Sequence, residues 1–321
     1  MAVSLILHSW LLLVPLILSV IVAIFNLYHL LSSQALRTAL NNHVIILLLC
    51  VGLISTVTDY VWTGYFYRTD IVLSSTPAFC LAWVFISASG LVIAYLLMAW
   101  ASIERHILIF HHRWFATARK RFVFHYLPLI ICIVWPLIFY CITLLILPCD
   151  IPFNYNKKQC ARYLCILAID WIALLDSIFH YILPTFIVVI FSVVLLVRVI
   201  YQKYQIHQRV EWRNYKRMAA QLLPISALYF CISFPTMLLY AAYSAGIPRT
   251  VAADYFANSI LLCFWIILFT PFAIVPSLPQ WRTKCTKLFL FWRVERRVNP
   301  EIPLPTRLTV GRINRAALGR Q

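Results

Sequence analysis

The amino-acid sequence predicts an all-α membrane protein, a seven-transmembrane helix bundle followed by a short amphipathic eighth helix. Two observations carry this prediction. The chain has 321 residues, of which 63% are hydrophobic and only 12% are charged, whereas a soluble domain carries roughly 25% charged residues. Apolar runs of about 20 residues, the length that crosses a bilayer, recur along the chain.

Each apolar run defines one predicted span. The first run lacks the basic start and the small-residue cleavage site of a signal peptide and is too long for one, so we interpret it as a helix. The predicted spans are residues 8–31, 43–66, 79–110, 122–147, 164–200, 217–245 and 252–276, which together form one seven-transmembrane domain over 1–276.

Two segments come after the last span. Residues 277–293 alternate basic and aromatic side chains, which is typical of an amphipathic helix in the membrane interface. Residues 294–321 are polar and rich in arginine, and they predict a disordered cytoplasmic tail.

The lysines and arginines predict the orientation of the chain. Alternate loops and the tail hold 22 of the 27 basic residues, and the opposite side holds 5. The basic side of a membrane protein is cytoplasmic, so we expect an extracellular N-terminus, a cytoplasmic C-terminus and a place in the plasma membrane. Contact with membrane lipid explains the net charge of +17, and we expect no nucleic-acid partner.

A charged triplet, Glu104, Arg105 and His106, closes the third apolar run. An arginine at the C-terminal end of a helix is favoured by the helix dipole, and Glu104 can hold it through a charge-assisted hydrogen bond. The plainer alternative is an arginine that only reaches toward the lipid headgroups. Acidic residues are rare at such depth, which favours a functional role for the triplet.

Cys80 lies 25 residues before Arg105, roughly 37 Å along a helix at 1.5 Å per residue. One helix therefore carries a cysteine at its outer end and an arginine at its inner end, and Cys160 lies in the next outer loop. This arrangement resembles the rhodopsin-like G-protein-coupled receptors. Further residues match that family in order along the chain: Asn26, Trp135, Pro184, Pro235, Pro271 and Trp281.

Other positions depart from the family pattern. Gly52 stands where the second helix has a buried aspartate, Ser192 replaces a fifth-helix tyrosine and Ser233 replaces the sixth-helix tryptophan. Thr270 and Ile274 replace the asparagine and tyrosine of the seventh-helix motif. The resemblance therefore implies a divergent member of the family.

The resemblance also implies partners and site residues. A heterotrimeric G protein would meet Glu104, Arg105 and His106, and an extracellular small molecule or peptide would be the ligand. The implied disulfide joins Cys80 to Cys160, with Cys149 and Cys165 as competing partners because connectivity cannot be read from sequence. Cys285, which lies beyond the last span, is a candidate for palmitoylation.

Intramembrane polar residues are candidates for the ligand pocket. Asp59 lies two helical turns beyond Gly52, and Ser87 stands where amine receptors of the family carry an aspartate. Asp176 and His180 are four residues apart, so they can either pair with each other or contact a ligand. Pro235 and Pro271 interrupt helical hydrogen bonding and are candidate hinges.

Two other function classes compete with a receptor. A polytopic transporter or channel is the alternative, because Asp59, Asp176 and His180 could line a polar pathway. A membrane enzyme is not expected, since no ordered catalytic triad is visible and the histidine pair at 111–112 lies in a basic loop. We expect neither a cofactor nor a metal ion.

Overall fold

The computed structural model describes residues 5–110, 112–205, 226–227, 229–248 and 250–275. These residues form helices joined by short loops, and none of them lies in a β-strand. The predicted amphipathic helix at 277–293, the tail at 294–321 and Cys285 lie outside the described residues, as do residues 217–225 and 228 of the predicted sixth span.

The first three long helices agree closely with the predicted spans. Helix α1 is Leu5–Ser32, and helix α3 is Pro77–Phe110. Helix α2 runs without a break from Leu40–Ser55 through a π-helical turn, Thr56–Tyr60, into Val61–Thr69. Asp70 ends α2 in the left-handed conformation, with a φ of 57°.

Helices α4 and α5 are also continuous but contain π-helical turns. Helix α4 comprises the segments Ala118–Arg121, Phe122–Tyr126, Leu127–Cys141 and Ile142–Ile146. Helix α5 comprises Asp170–Leu175, Asp176–Ile182 and Leu183–Gln205.

Helix α5 begins later than the predicted span at 164–200. Leu164–Leu167 is a separate short helix, and Ile169 has an extended backbone that ends it. A disulfide from Cys165 to Cys149 holds this short helix to the preceding loop. Because hydropathy responds to composition alone, it merged the short helix with α5.

Two shorter apolar helices complete the described part. Helix α6 comprises a π-helical turn, Tyr229–Ser233, and the α-helix Phe234–Ser244, whereas helix α7 is Ala253–Ile274. Within the described residues, α1 to α5 are long and apolar enough to cross a membrane. The chain is therefore an all-α membrane protein.

Helix α3 lies at the centre of the packing and contacts α2, α4 and α5. Its inward side chains, including Trp83, Val92 and Leu97, are fully buried. Helix α1 packs against α2 and α7, while its outward side chains such as Ile17 and Ile21 are exposed. In a membrane protein, such an exposed apolar face lies against lipid.

Each π-helical turn widens the helix by one residue and changes the direction of the later side chains. Such turns occur often at functional sites. Here they contain Asp59 in α2, His125 in α4, and both Asp176 and His180 in α5. These buried polar side chains thus lie where the helices depart from regular geometry.

Candidate functional site

Helix α3 defines two ends of the molecule. We call the end with Cys80 the disulfide end and the end with Glu104, Arg105 and His106 the triplet end. The structure contains the disulfide between Cys80 and Cys160, whose Cα atoms lie 5.7 Å apart. The two cysteines that competed for Cys80 in the sequence, Cys149 and Cys165, pair with each other instead.

The loop between α4 and α5 adopts a strained turn at the disulfide. Gln159, Cys160 and Ala161 have φ angles of 53°, 53° and 62°, so three successive residues are left-handed without a glycine. Such a conformation costs about 1–2 kcal/mol per residue. It is held by the disulfide of Cys160 and by a hydrogen bond from the Asn154 amide to the Cys160 carbonyl (3.1 Å).

A cavity of about 210 Å³ lies at the disulfide end between α3, α4, α5, α6 and α7. Its walls are mainly apolar, and Lys158 and Gln159 of the loop form part of them. Ser87 and Asp176, two of the four predicted pocket residues, line it, whereas Asp59 and His180 lie behind its walls. The volume is below the ~300–1,000 Å³ of typical drug-sized pockets and suits a small molecule.

Asp176 is the centre of a hydrogen-bond cluster that joins three helices. Its Oδ1 accepts from the Tyr140 hydroxyl at 2.7 Å and from His180 Nδ1 at 2.8 Å, and its Oδ2 accepts from the Tyr240 hydroxyl at 3.1 Å. Tyr140 belongs to α4 and Tyr240 to α6, so the carboxylate of α5 ties both helices together. Tyr140 and Tyr240 also line the cavity.

The partner of His180 fixes its tautomer. The indole Nε1 of Trp135 donates to His180 Nε2 at 2.9 Å. Since an indole N–H can only donate, Nε2 accepts and the proton lies on Nδ1, which donates to Asp176. Of the two open interpretations from sequence, the structure gives the Asp–His pair, and only its aspartate reaches the cavity.

Asp59 forms a second cluster that joins α2 to α3. Its Oδ1 accepts from the Trp83 indole at 2.7 Å and from the Thr63 hydroxyl at 3.4 Å, while its Oδ2 accepts from the Ser87 hydroxyl at 3.0 Å. Asp59 is only 2% exposed. It therefore positions Ser87 in the cavity wall without lining the cavity itself.

At the triplet end, Glu104 and Arg105 are buried, with exposed fractions of 1% and 3%. The Glu104 carboxylate forms a hydrogen bond with Nδ1 of His125 in α4. It also attracts the Arg105 guanidinium electrostatically. The sequence suggested Glu104 as a holder of Arg105, but the structure adds His125, which shares the carboxylate.

The contact of His125 continues into a chain of hydrogen bonds. His125 Nε2 lies 2.8 Å from His43 Nδ1 of α2, and His43 Nε2 lies 2.9 Å from the Arg37 carbonyl. These contacts join Glu104 of α3 to the start of α2 through His125 and His43.

His106, the third residue of the triplet, faces α5. Its Nε2 lies 3.2 Å from an Arg198 guanidinium nitrogen, and its ring packs edge-on against Phe191. The Arg198 guanidinium also lies over the Phe110 ring, with 5.0 Å between them. The triplet thus contacts α4 through Glu104 and α5 through His106.

The two candidate hinges differ in their surroundings. Pro235 is in the first turn of the α-helical part of α6, directly after the π-helical turn, where the missing N–H disturbs the helix least. Pro271 lies inside α7, and its carbonyl accepts a hydrogen bond from the Asn26 side chain of α1 at 2.8 Å. That contact ties α7 to α1 at Pro271.

Gly52 lies where α2 approaches α7. A Cβ atom built on Gly52 would lie 3.4 Å from the Ile267 side chain of α7, an ordinary van der Waals distance. In the described part of the chain, no three His, Cys, Asp or Glu side chains come together as metal ligands.

The sequence did not single out several residues that complete the clusters, among them His43, His125, Tyr140, Lys158 and Tyr240. Their partners are distant in sequence; His43 and His125, for example, are 82 residues apart. The sequence around a histidine or tyrosine in an apolar run does not indicate which distant residue its side chain contacts. Only the packing of the helices brings these groups together.

No protein-family model matches this chain, and no curated protein matches it. The function proposed for the chain therefore depends on its residues and their geometry.

Loss of the Cys80–Cys160 disulfide is expected to destabilise the protein more than loss of the Cys149–Cys165 disulfide. The first bridge joins residues 80 apart and holds the loop that lines the cavity, whereas the second joins residues only 16 apart. Longer closed loops give larger stabilisation, about 3 kcal/mol at 15 residues and about 4.7 kcal/mol at 100 residues in the chain-entropy model.

The measurement compares the Cys80→Ser/Cys160→Ser and Cys149→Ser/Cys165→Ser variants by thermal unfolding of purified protein. The control is Cys50→Ser, since Cys50 is a free thiol. An equal loss of stability in both double variants would contradict the expected order.

Glu104 and His125 are expected to stabilise the fold as a unit. His125→Ala leaves a buried carboxylate without its imidazole partner, and removing one partner of a buried charged pair costs about 3–5 kcal/mol. Adding Glu104→Gln should recover part of that loss, because burying an unpaired neutral amide costs less free energy than burying an unpaired carboxylate. We expect a coupling free energy of about 1–3 kcal/mol from the double-mutant cycle.

Thermal or denaturant unfolding of the two single variants and the double variant measures this coupling. The Tyr126→Phe variant is the matched control, because Tyr126 is adjacent to His125 and 40% exposed. Additive effects of the two substitutions would show that Glu104 and His125 do not act together.

Proposed function

We propose that this chain is a seven-helix receptor in the plasma membrane that transmits the binding of an extracellular ligand to a cytoplasmic heterotrimeric G protein. In this proposal α6 and α7 are the sixth and seventh spans. The disulfide end with its cavity is extracellular, and the triplet end is cytoplasmic. The chain would be a divergent relative of the rhodopsin-like receptors.

One observation carries the proposal. A single helix, α3, has a disulfide to the outer loop between α4 and α5 at one end and a buried Glu104–Arg105–His106 triplet at the other. A snorkelling arginine would be exposed at the interface, but Arg105 is 3% exposed and lies beside Glu104. This burial supports a switch that opens to meet a partner, rather than a membrane anchor.

The clusters suggest how a ligand could shift the bundle. Asp176 and Tyr240 both line the cavity and hydrogen bond to each other across α5 and α6. A ligand that contacts either group changes the relative free energy of two arrangements of these helices. Pro235 precedes Tyr240 in α6 and lies at the junction with the π-helical turn, where the helix can bend.

The triplet end is the part of the proposed receptor that contacts the G protein. In the closed arrangement, Glu104 is shared by His125 and Arg105, and His106 contacts Arg198. Movement of α5 or α6 would release Arg105 toward a partner's backbone carbonyls. The helix bundle then has a closed and an open arrangement, and both the ligand and the G protein shift the equilibrium between them. This shared equilibrium couples the two ends.

The alternative is a polytopic transporter or channel, which the buried carboxylates Asp59 and Asp176 favour. Each carboxylate accepts three hydrogen bonds from the protein. These contacts fix both carboxylates within the helix packing, which argues against a role as transient ion ligands.

A paired assay in cells tests the proposal against this alternative. Cells that express the full chain are screened with a ligand library while reporters monitor several G-protein classes, and the same cells are recorded for membrane current and solute uptake. The receptor proposal expects a G-protein signal above that of mock cells, with current and uptake unchanged. Current or uptake without a G-protein signal would favour the transporter or channel.

A further inference from the structure

The cavity at the disulfide end contains one cationic side chain. Among the described residues that line it, Lys158 is the only lysine or arginine. Its Nζ lies 4.3 Å from the centroid of the Phe264 ring and 5.7 Å from that of Tyr67. Two ring faces therefore hold the ammonium group at the cavity wall through cation–π attraction.

The carboxylates near the cavity already have donors from the protein. Asp176 accepts from Tyr140, His180 and Tyr240. Asp59 attracts Lys158 electrostatically, but no described carboxylate lies within the 4.0 Å of an ion pair with Lys158. An ammonium group has three N–H donors, which aromatic faces do not satisfy as oxygen acceptors would.

The loop geometry keeps Lys158 in this position. Lys158 directly precedes the three left-handed residues Gln159, Cys160 and Ala161, and Cys160 is fixed to α3 by its disulfide. Strain of this kind persists only where the surroundings hold it, and it is concentrated at binding sites. Gln159 also lines the cavity, and its side-chain amide is a second N–H donor group there.

We propose that the ligand of this cavity is a small amphipathic anion. Its negatively charged head contacts the Lys158 ammonium, and its short apolar body lies along the walls formed by α3, α5, α6 and α7. An amine would meet the like charge of Lys158 and an aspartate whose oxygens already accept hydrogen bonds. This inference rests on the proposed function, since it names the ligand class of the receptor's cavity.

The test measures binding of four octyl compounds that differ in the head group: octanoate, octyl phosphate, 1-octanol and octylamine. The full chain is held in nanodiscs of phosphatidylcholine, and binding to empty nanodiscs is subtracted. We expect octanoate or octyl phosphate to bind at least about tenfold more tightly than 1-octanol and octylamine, in keeping with the strength of hydrogen bonds to charged groups. The two anions distinguish a carboxylate from a phosphate as the preferred head.

Three variants locate the anion. Lys158→Gln is expected to weaken binding of the preferred anion about tenfold or more, and Lys158→Arg to retain it within about threefold. Lys157→Gln is the matched control, because Lys157 is adjacent, exposed and absent from the cavity wall. Thermal unfolding of each variant shows whether it is folded. If Lys158→Gln is not folded, the comparison of the four head groups on the unaltered chain still tests the ligand class.

Several results would overturn the inference. One is binding of 1-octanol or octylamine as tight as that of the anions. Another is binding of the preferred anion to Lys158→Gln as tight as to the unaltered chain. The third is no binding of either anion at millimolar concentration. The failure of the proposed function is distinguishable. Lys158-dependent binding of an anion without any effect on G-protein nucleotide exchange supports the ligand class and contradicts the receptor.

Discussion

Replacement of Arg105 by alanine is expected to abolish G-protein activation while the protein still reaches the cell surface. In the receptor that we propose, Arg105 is the group that leaves Glu104 and meets the partner's carbonyl oxygens. Alanine has no donor to offer, so the loss should exceed about 100-fold, the equivalent of about 2.7 kcal/mol of partner binding. The measurement is reporter activity normalised to surface expression.

Two companion variants separate coupling from folding. Arg105→Lys keeps the charge but loses the planar group of donors, and it should retain only part of the activity. Arg119→Ala is the control, because Arg119 is exposed on the same end of the molecule. Full coupling by Arg105→Ala at normal surface levels would show that the triplet is not the switch.

Replacement of Asp176 by alanine is expected to destabilise the protein severely. The carboxylate accepts hydrogen bonds from Tyr140, His180 and Tyr240, and its removal takes the acceptor from the two buried donors, Tyr140 and His180. Each unsatisfied buried group costs about 1–3 kcal/mol, so the total loss is about 3–5 kcal/mol once the side chains relax. Unfolding of the purified variant measures this loss.

Asp176→Asn is the matched comparison. Its carbonyl oxygen can still accept from Tyr140 and His180, and the Tyr240 hydroxyl can rotate to accept from the new amide. We therefore expect most of the stability to be kept by asparagine, in contrast to alanine. If asparagine is as destabilising as alanine, the negative charge rather than the hydrogen bonds holds α4, α5 and α6 together.

Hydropathy was sufficient to predict the long apolar helices, because every residue of a bilayer-spanning segment contributes to the same signal. The ends were less well predicted where a short element adjoins a span. Leu164–Leu167 is apolar like α5 and merges with it in composition, although an extended residue, Ile169, separates the two.

The candidate site was predictable only where a residue carries information by itself. A charged triplet in an apolar run and a cysteine at a helix end are such residues, and the family resemblance linked Cys80 to Cys160. The rotation of each helix about its axis is not encoded in this way. A helix that is apolar on all sides shows no inward face, so the contacts of His125 with Glu104 and of Tyr240 with Asp176 were not predictable.

The π-helical turns are a second reason why the clusters were missed. Each turn adds a residue and rotates the rest of its helix, so the face assigned by regular helical spacing shifts along α2, α4 and α5. Asp59 illustrates this effect. Regular spacing from Gly52 placed it on the cavity face, whereas the structure directs it to Trp83 behind the wall.

Nucleotide exchange on purified G protein shows whether the chain activates a G protein through the triplet end. The purified full chain in nanodiscs is mixed with each class of heterotrimeric G protein, and GTP-analogue binding is measured with and without octanoate. We expect exchange above the level of empty nanodiscs for at least one class, and loss of this exchange in Arg105→Ala. Exchange at the level of empty nanodiscs for every class, or equal exchange by Arg105→Ala, would contradict this expectation.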